Sequence, residues 1–358
     1  MDTEISPARA ADSDSVDGES ASIVLPSVRT QLQLPSTTAF YGADEVLKSY
    51  CGQPNETVPD NFSWQHGWCC RQRQNIDPVL LVKEPTIEPA KTFLVARTDE
   101  AEYLKAHGLN CEAIGLPFVY AQAANKPPRI PNSLLVMPAH SLEYTQHRWK
   151  FEEYAQQIAD VAGRFDRVVA CIHPACVRKG YWLPQFERVG IECVVGAEAF
   201  DANGLVRIKT LLSQFEFMTT NMLGSHVVYA AATGARVSIY GDYAEYRKAD
   251  FAQTEFYQLH PHILQPVLKL HSRDYVQATY PDFFCEPYEA KRRQQWASEE
   301  IGKANRRSPA ELRRLLGWDR ISLAHRRLKK FSRAISIGPE RLVKNLLGRR
   351  TNHSPESG

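Results

Sequence analysis

Residues 217–241, FMTTNMLGSHVVYAAATGARVSIYG, decide the fold class. Phe217 to Thr219 reads as a strand that ends in Thr220 and Asn221, Gly224 and Ser225 open a helix, Gly234 closes it, and Arg236 to Tyr240 alternates apolar side chains as a second strand. Strand, polar loop, helix and strand in that order predict a parallel crossover. The helix opening also suits an anion, because its first N–H groups lack intrahelical partners and its dipole end is positive. A plain crossover in which Gly224 and Ser225 only cap a helix accounts for the same residues, so the surrounding sequence has to choose between the two.

Upstream, the same alternation repeats. Ser133 to Pro138, Arg167 to Ile172 and Ile191 to Val195 are apolar runs of strand length. Between them, Trp149 to Ala162 sets Phe151, Tyr154, Ile158 and Val161 at helical spacing, and Tyr181 to Val189 and Leu205 to Phe215 read as further helices. Such alternation predicts a parallel sheet covered on both faces, a Rossmann-like domain over residues 128–290. The proline-rich stretch AQAANKPPRIPNS marks a linker before it. Ahead of the linker, residues 31–127 carry a helix in AFYGADEVLKSYCG, strands at Val79 to Lys83, Lys91 to Arg97 and Cys111 to Gly115, and the helix DEAEYLKAHG capped by Asp99. That is a first α/β domain. At 358 residues the chain exceeds the roughly 250–300 at which one core stops growing, so two domains are expected.

Composition narrows the class further. No stretch approaches the roughly 18 consecutive apolar residues of a membrane span, which predicts a soluble protein. Residues 1–30 are rich in Asp, Glu, Ser and Ala and read as a disordered arm rather than a targeting segment. The eight cysteines show no disulfide spacing, which fits a reducing cytoplasm. Cys171, His173 and Cys176 look like a metal set, but Cys171 and His173 close an apolar run where a small buried cysteine is ordinary, so no metal is expected. Residues 291–350 hold 18 Lys and Arg against 5 Asp and Glu, a local balance of +13 against +2 for the whole chain, so the remainder is −11. Nucleic acid is therefore disfavoured as a partner. Within this basic tail, residues 291–358, SPAELRRLLGWDR predicts a helix with Ser308 as cap, Pro309 first and Glu311 closing a capping box. Beyond it, ISLAHRRLKKFSRAIS and PERLVKNLLGRR intersperse Leu, Ile and Phe among cations, as in a helix lying on an anionic membrane surface or in a solvated or domain-crossing helix.

In open α/β sheets ligands bind outside the carboxyl ends of the strands. Four strands here end in polar groups: Ala139-His140-Ser141, His173-Pro174, Thr220-Asn221 and Gly241-Asp242. Proline after His173 holds the backbone extended at the strand exit, so the imidazole is a candidate phosphate ligand, as an imidazolium. In the first domain WQHGWCC places His66 among aromatics, and Asp44 with Glu45 supplies carboxylates that read first as helix-start caps. The sequence contains no GxxxxGK[ST], GxSxG, HExxH or GxGxxG motif, which removes the NTPase, α/β-hydrolase, zinc protease and simple dehydrogenase classes.

The pair of Rossmann-like domains, His173-Pro174 at a strand exit and the later loop Thr219 to Ser225 followed by YAAATGARVSIYG together resemble the GT-B glycosyltransferases of bacterial surface and capsular polysaccharide biosynthesis. More distantly they are similar to bacterial sialyl- and polysialyltransferases. The resemblance covers residues 130–245. It implies a nucleotide-sugar donor held by His173, Pro174, Thr219, Thr220, Asn221, Gly224 and Ser225, a saccharide or glycolipid acceptor, no cofactor or metal, and a cytoplasmic enzyme peripheral to the inner face of the membrane. It also implies an acidic base before a glycine in the first domain, but Asp44-Glu45 is followed by Val46. The base is therefore open among His140, His66 and Asp44, and the donor among CMP-, UDP- and GDP-sugars. A nucleotide-sugar epimerase of the same double fold and a non-catalytic carbohydrate- or nucleotide-binding protein are the competing functions.

Overall fold

The computed structural model describes residues 22–31, 37–70, 78, 87, 88, 90–141 and 145–324. In the first half, helix α1 (Ala43–Cys51) precedes strand β1 (Phe62–Trp64), and β2 (Thr92–Val95), helix α2 (Thr98–Ala106) and β3 (Asn110–Ala113) complete a parallel sheet of order β1-β2-β3. The expected strand at residues 79–83 lies outside the described residues. Asp99 is not the cap of α2. The helix begins at Thr98, so Asp99 already stands inside the first turn and accepts from Arg97 Nε (3.0 Å), while Glu100 accepts the Arg97 backbone N–H (2.9 Å).

The second half alternates as its sequence predicts. Strands β4 (Ile130–Val136), β5 (Arg167–Ile172), β6 (Glu192–Val195), β7 (Phe215–Thr220) and β8 (Arg236–Ile239) form one parallel sheet. Helix α3 (Phe151–Ala162) joins the first two strands, α4 (Pro174–Arg178) and α5 (Leu183–Arg188) the next, then α6 (Gly204–Gln214) and α7 (Ser225–Ala232). The strand order is β6-β5-β4-β7-β8. The chain therefore winds outward from β4 to β6, returns to the other side of β4 and winds outward again. That reversal makes the gap between the exits of β4 and β7 a topological switch point, where α/β sheets bind ligands.

One buried cluster includes Trp64, Leu94 and Phe118 from the first half, Met218, Val227 and Val237 from the second, and Ala297, Ile301 and Trp318 from the C-terminal part. Phe118 stacks on Tyr229 at 4.1 Å. The other face of the larger sheet has its own core, with Leu134, Val136, Tyr154, Ile158, Trp182 and Phe217.

Past β8 the chain runs through α8 (Glu255–Leu259), α9 (Pro261–Leu270), α10 (Arg273–Thr279), α11 (Gln294–Glu300) and α12 (Pro309–Leu315). Residues 294–318 are not the start of a free basic tail. They cross back to the first half, where Leu116 N–H donates to Ile301 O (2.9 Å), Arg313 to Cys51 O (2.9 Å) and Trp318 Nε1 to Thr57 O (3.1 Å). The reason is an apolar face that the charge count conceals: Ala297, Ile301, Leu312, Leu316 and Trp318 are all buried. The crossing is close. At Gly302, with φ +66°, a Cβ would lie 1.9 Å from Ala96 O. The capping box forms as read, Ser308 Oγ accepting the Glu311 N–H and Glu311 Oε2 accepting the Ser308 N–H (2.8 Å). Residues 325–358, with most of the expected amphipathic segment, lie outside the described residues, as do residues 1–21 of the expected arm. Residues 22–30 of that arm are instead held against α6 and the loop before it: Val24 exchanges two hydrogen bonds with Gln214, both 2.8 Å, and Thr30 bridges to Asp201. Ile23 and Leu25 also pack against the main core, so this stretch, SIVLPSVRTQ, is held by apolar burial as well as by hydrogen bonds.

Candidate functional site

The exit of β4 carries His140 between two anchored residues. Ala139 donates its N–H to Asn221 Oδ1 (2.9 Å) and accepts from Trp182 Nε1 (2.7 Å). On the other side, Ser141 N–H donates to Cys176 Sγ (3.1 Å), and Lys179 Nζ donates to Ser141 Oγ (2.9 Å) and to Thr145 O. Anchoring on both sides limits how far the imidazole can shift.

At the exit of β5, His173 caps α4, its Nδ1 accepting the Ala175 N–H (3.1 Å), with Pro174 at the first helical position. The two rings meet, His140 and His173 stacking at 4.8 Å with 26° between planes. A third imidazole joins at β7, where His226, in the first turn of α7, shares a 2.8 Å hydrogen bond with Thr220 Oγ1. Asn221 fastens the rim itself. It links Ala139 after β4 to Asp242 O after β8 (3.2 Å), so both ends of its side chain are engaged with protein.

Burial, then the neighbouring His140, then Arg178 lower the pKa of His173 to about 3. Burial and then His140 lower that of His226 to about 3. Both rings are thus neutral at pH 7 in the protein alone, and only a nearby negative charge such as a phosphate would favour the imidazolium. A neutral ring whose Nδ1 accepts a hydrogen bond carries its proton on Nε2. That Nε2 is buried, and among the described residues nothing accepts its hydrogen. A buried donor there is served by water or by a ligand.

Helix α7 opens beside these rings. Gly224 precedes it in extended conformation, and the Ser225 hydroxyl accepts the Trp68 N–H (3.0 Å). Trp68 lies in the loop of residues 65–70 that leaves β1, so that loop reaches α7 from the smaller sheet. His66 belongs to the same loop, its ring 5.0 Å from Phe40 and 6.5 Å from Tyr41.

Of the residues expected to form the site, His140, His173, Pro174, Thr220, Asn221, Gly224 and Ser225 gather at the exits of β4, β5 and β7, with His66 on the adjoining loop. Thr219 and Asp44 do not gather there. Side chains alternate along β7, so Thr219 faces the sheet interior, fully buried, and its hydroxyl accepts from Ser238 Oγ (2.8 Å). Asp44 is buried in the first turn of α1 and pairs with Lys48 (3.2 Å), while burial raises its pKa. His226 is the site residue that sequence reasoning missed. Its signal was present, a histidine directly after the Gly-Ser that opens the helix.

No family model matches the sequence, and no curated protein matches it. Among solved structures, the pneumococcal O-GlcNAc transferase GtfA in complex with UDP and GlcNAc is similar with a TM-score of 0.29 and 11% identity, over 63% of this chain and 44% of the other. A GtfA/B complex gives 0.28 and 11% over the same shares. The chain thus spans less than half the length of these structures, and likeness at such TM-scores carries no argument about its function.

Proposed function

We propose that this chain is a glycosyltransferase that moves a sugar from a nucleotide-sugar donor to a saccharide or glycolipid acceptor. The observation that carries the reading is the buried Nε2 of His173, without an acceptor among the described residues, stacked on His140 at the β4 exit, next to the strand whose exit leads into α7. In this reading a phosphate accepts from the imidazole through one oxygen and from first-turn N–H groups of α7 through another, the Val227 N–H being already bonded to Gly224 O. As the acceptor oxygen forms its bond to the anomeric carbon, the bond from that carbon to the donor phosphate breaks, and charge develops on the phosphate that these donors stabilise. The acceptor proton passes to His140, the base we favour because its neighbours on both sides are anchored while Asp44 is committed to Lys48. In this scheme imidazole, helix N-terminus and hydroxyls take the place of a metal ion. The basic residues beyond 320 are the part we assign to an anionic membrane surface, on charge alone.

Incubation with radiolabelled CMP-, UDP- and GDP-sugars, with and without an acceptor mixture, tests the reading. Transfer puts label into saccharide only when acceptor is present, whereas a new sugar nucleotide without acceptor identifies an epimerase. For the proposed base, His140→Ala is expected to lower turnover by about 100-fold or more while nucleotide affinity stays within about threefold. Unchanged turnover removes His140 from that role.

A further inference from the structure

The loop of residues 65–70 touches α7 through Trp68, yet what fixes it there is the C-terminal segment. Trp68 Nε1 donates to Glu300 Oε2 (2.7 Å) at the end of α11. The same oxygen accepts from Arg97 Nη1 (3.0 Å), and that nitrogen also reaches Cys69 O (3.4 Å). Arg97 is paired on its other side with Glu100 (3.1 Å). Trp68, Arg97 and Glu300 are 6%, 4% and 2% exposed. The Trp68 indole also packs edge-on against Trp296 of α11 (6.4 Å). A buried carboxylate is costly unless its partners complete it, and apolar replacements of such ion pairs are often neutral or stabilising. Exchanging the whole Glu100–Arg97–Glu300 set for apolar residues could therefore keep the stability, whereas losing Glu300 alone leaves the Trp68 indole and Arg97 without this acceptor. What Glu300 adds is direction: one oxygen holds the loop's indole and the guanidinium that reaches the loop's next carbonyl.

We propose that Glu300 is a positioning residue for the α7 site: by gripping Trp68 directly and Cys69 through Arg97, it keeps the β1-exit loop against Ser225. Residues 294–300 then complete a site whose ligand-facing groups come from other parts of the chain. The ligand class, a nucleotide phosphate, rests on the proposed transferase function; the placement of the loop does not.

Hydrogen exchange on the full chain, followed in peptides spanning 65–70 and 167–172, tests this in wild type, Glu300→Gln, Glu300→Ala and Trp68→Phe, each also titrated with CMP, UDP and GDP. Trp68→Phe and Glu300→Ala are expected to speed exchange at 65–70 by about tenfold or more, leave 167–172 unchanged and weaken the bound nucleotide by about tenfold. Glu300→Gln keeps an oxygen acceptor for the indole and is expected to stay near wild type. Trp68→Phe removes the indole N–H while keeping an aromatic ring, so it reads out the contact even if Glu300→Ala unfolds. Unchanged exchange at 65–70 in Trp68→Phe overturns the proposal, as does a rise shared equally by both peptides. If wild type binds none of the three nucleotides while exchange at 65–70 rises as expected, the loop assignment stands and the transferase reading falls.

Discussion

Arg97→Leu is expected to destabilise the fold by about 3–5 kcal/mol, the usual cost of removing one partner from a buried ion pair. The guanidinium lies between Glu100 (3.1 Å) and Glu300 (3.0 Å), and both carboxylates are buried. Burial raises the pKa of Glu100 to about 7 even with Arg97 beside it. Without the cation Glu100 takes up a proton, and Glu300 loses its charged partner while the Trp68 indole still donates to it. The loss should appear as a lower midpoint in guanidinium denaturation with the slope unchanged. A shift worth less than about 1 kcal/mol would mean that water or rearrangement already serves the carboxylates.

Acid is expected to unfold this protein through its histidines. His173 and His226 each titrate near 3 in the fold against an ordinary 6.5. Between those values the unfolded chain binds protons that the native chain refuses, so their contribution is intact above 6.5 and is lost as pH falls toward 3. From pH 6.5 to 5 the pair should cost about 3 kcal/mol. Glu100 acts in the opposite sense: its pKa is raised, so acidification through the same window favours the fold. The histidine effect is therefore the difference between wild type and the double variant His173→Gln/His226→Gln, measured by denaturation at both pH values. Wild type should lose about 3 kcal/mol more than the variant. Equal losses would show that the two rings are accessible to protons in the native state.

Local pattern carried much of this architecture. The five strands of the larger sheet and all the helices between them except α4 are visible as apolar runs, caps and glycines, because each depends on neighbours a few residues away; α4 follows a His173-Pro174 that reads as an extended strand exit. Strand order does not, since pairing joins Leu134 to Phe217 and Val169 to Glu192 across long separations. The switch point, and with it the meeting of His140, His173 and His226, follows from that order alone. Thr219 and Thr220 are both fully buried, and the period of two along β7 sets which partner each meets, Ser238 for the first and His226 for the second. The contact between Arg97 and Glu300 has no local signature, being 203 residues apart. Charge likewise concealed the buried face of residues 294–318, whose arginines turn outward or toward backbone carbonyls while Ala297, Ile301 and Trp318 pack inward.

Calorimetric titration of wild type and His173→Gln with CMP, UDP and GDP tests the central claim most directly, that the imidazoles and the α7 N-terminus form a nucleotide phosphate site. One of the three is expected to bind to wild type and to lose about tenfold or more in affinity in His173→Gln, as a hydrogen bond to a charged group requires. No binding by any nucleotide, or equal affinity in both proteins, contradicts it.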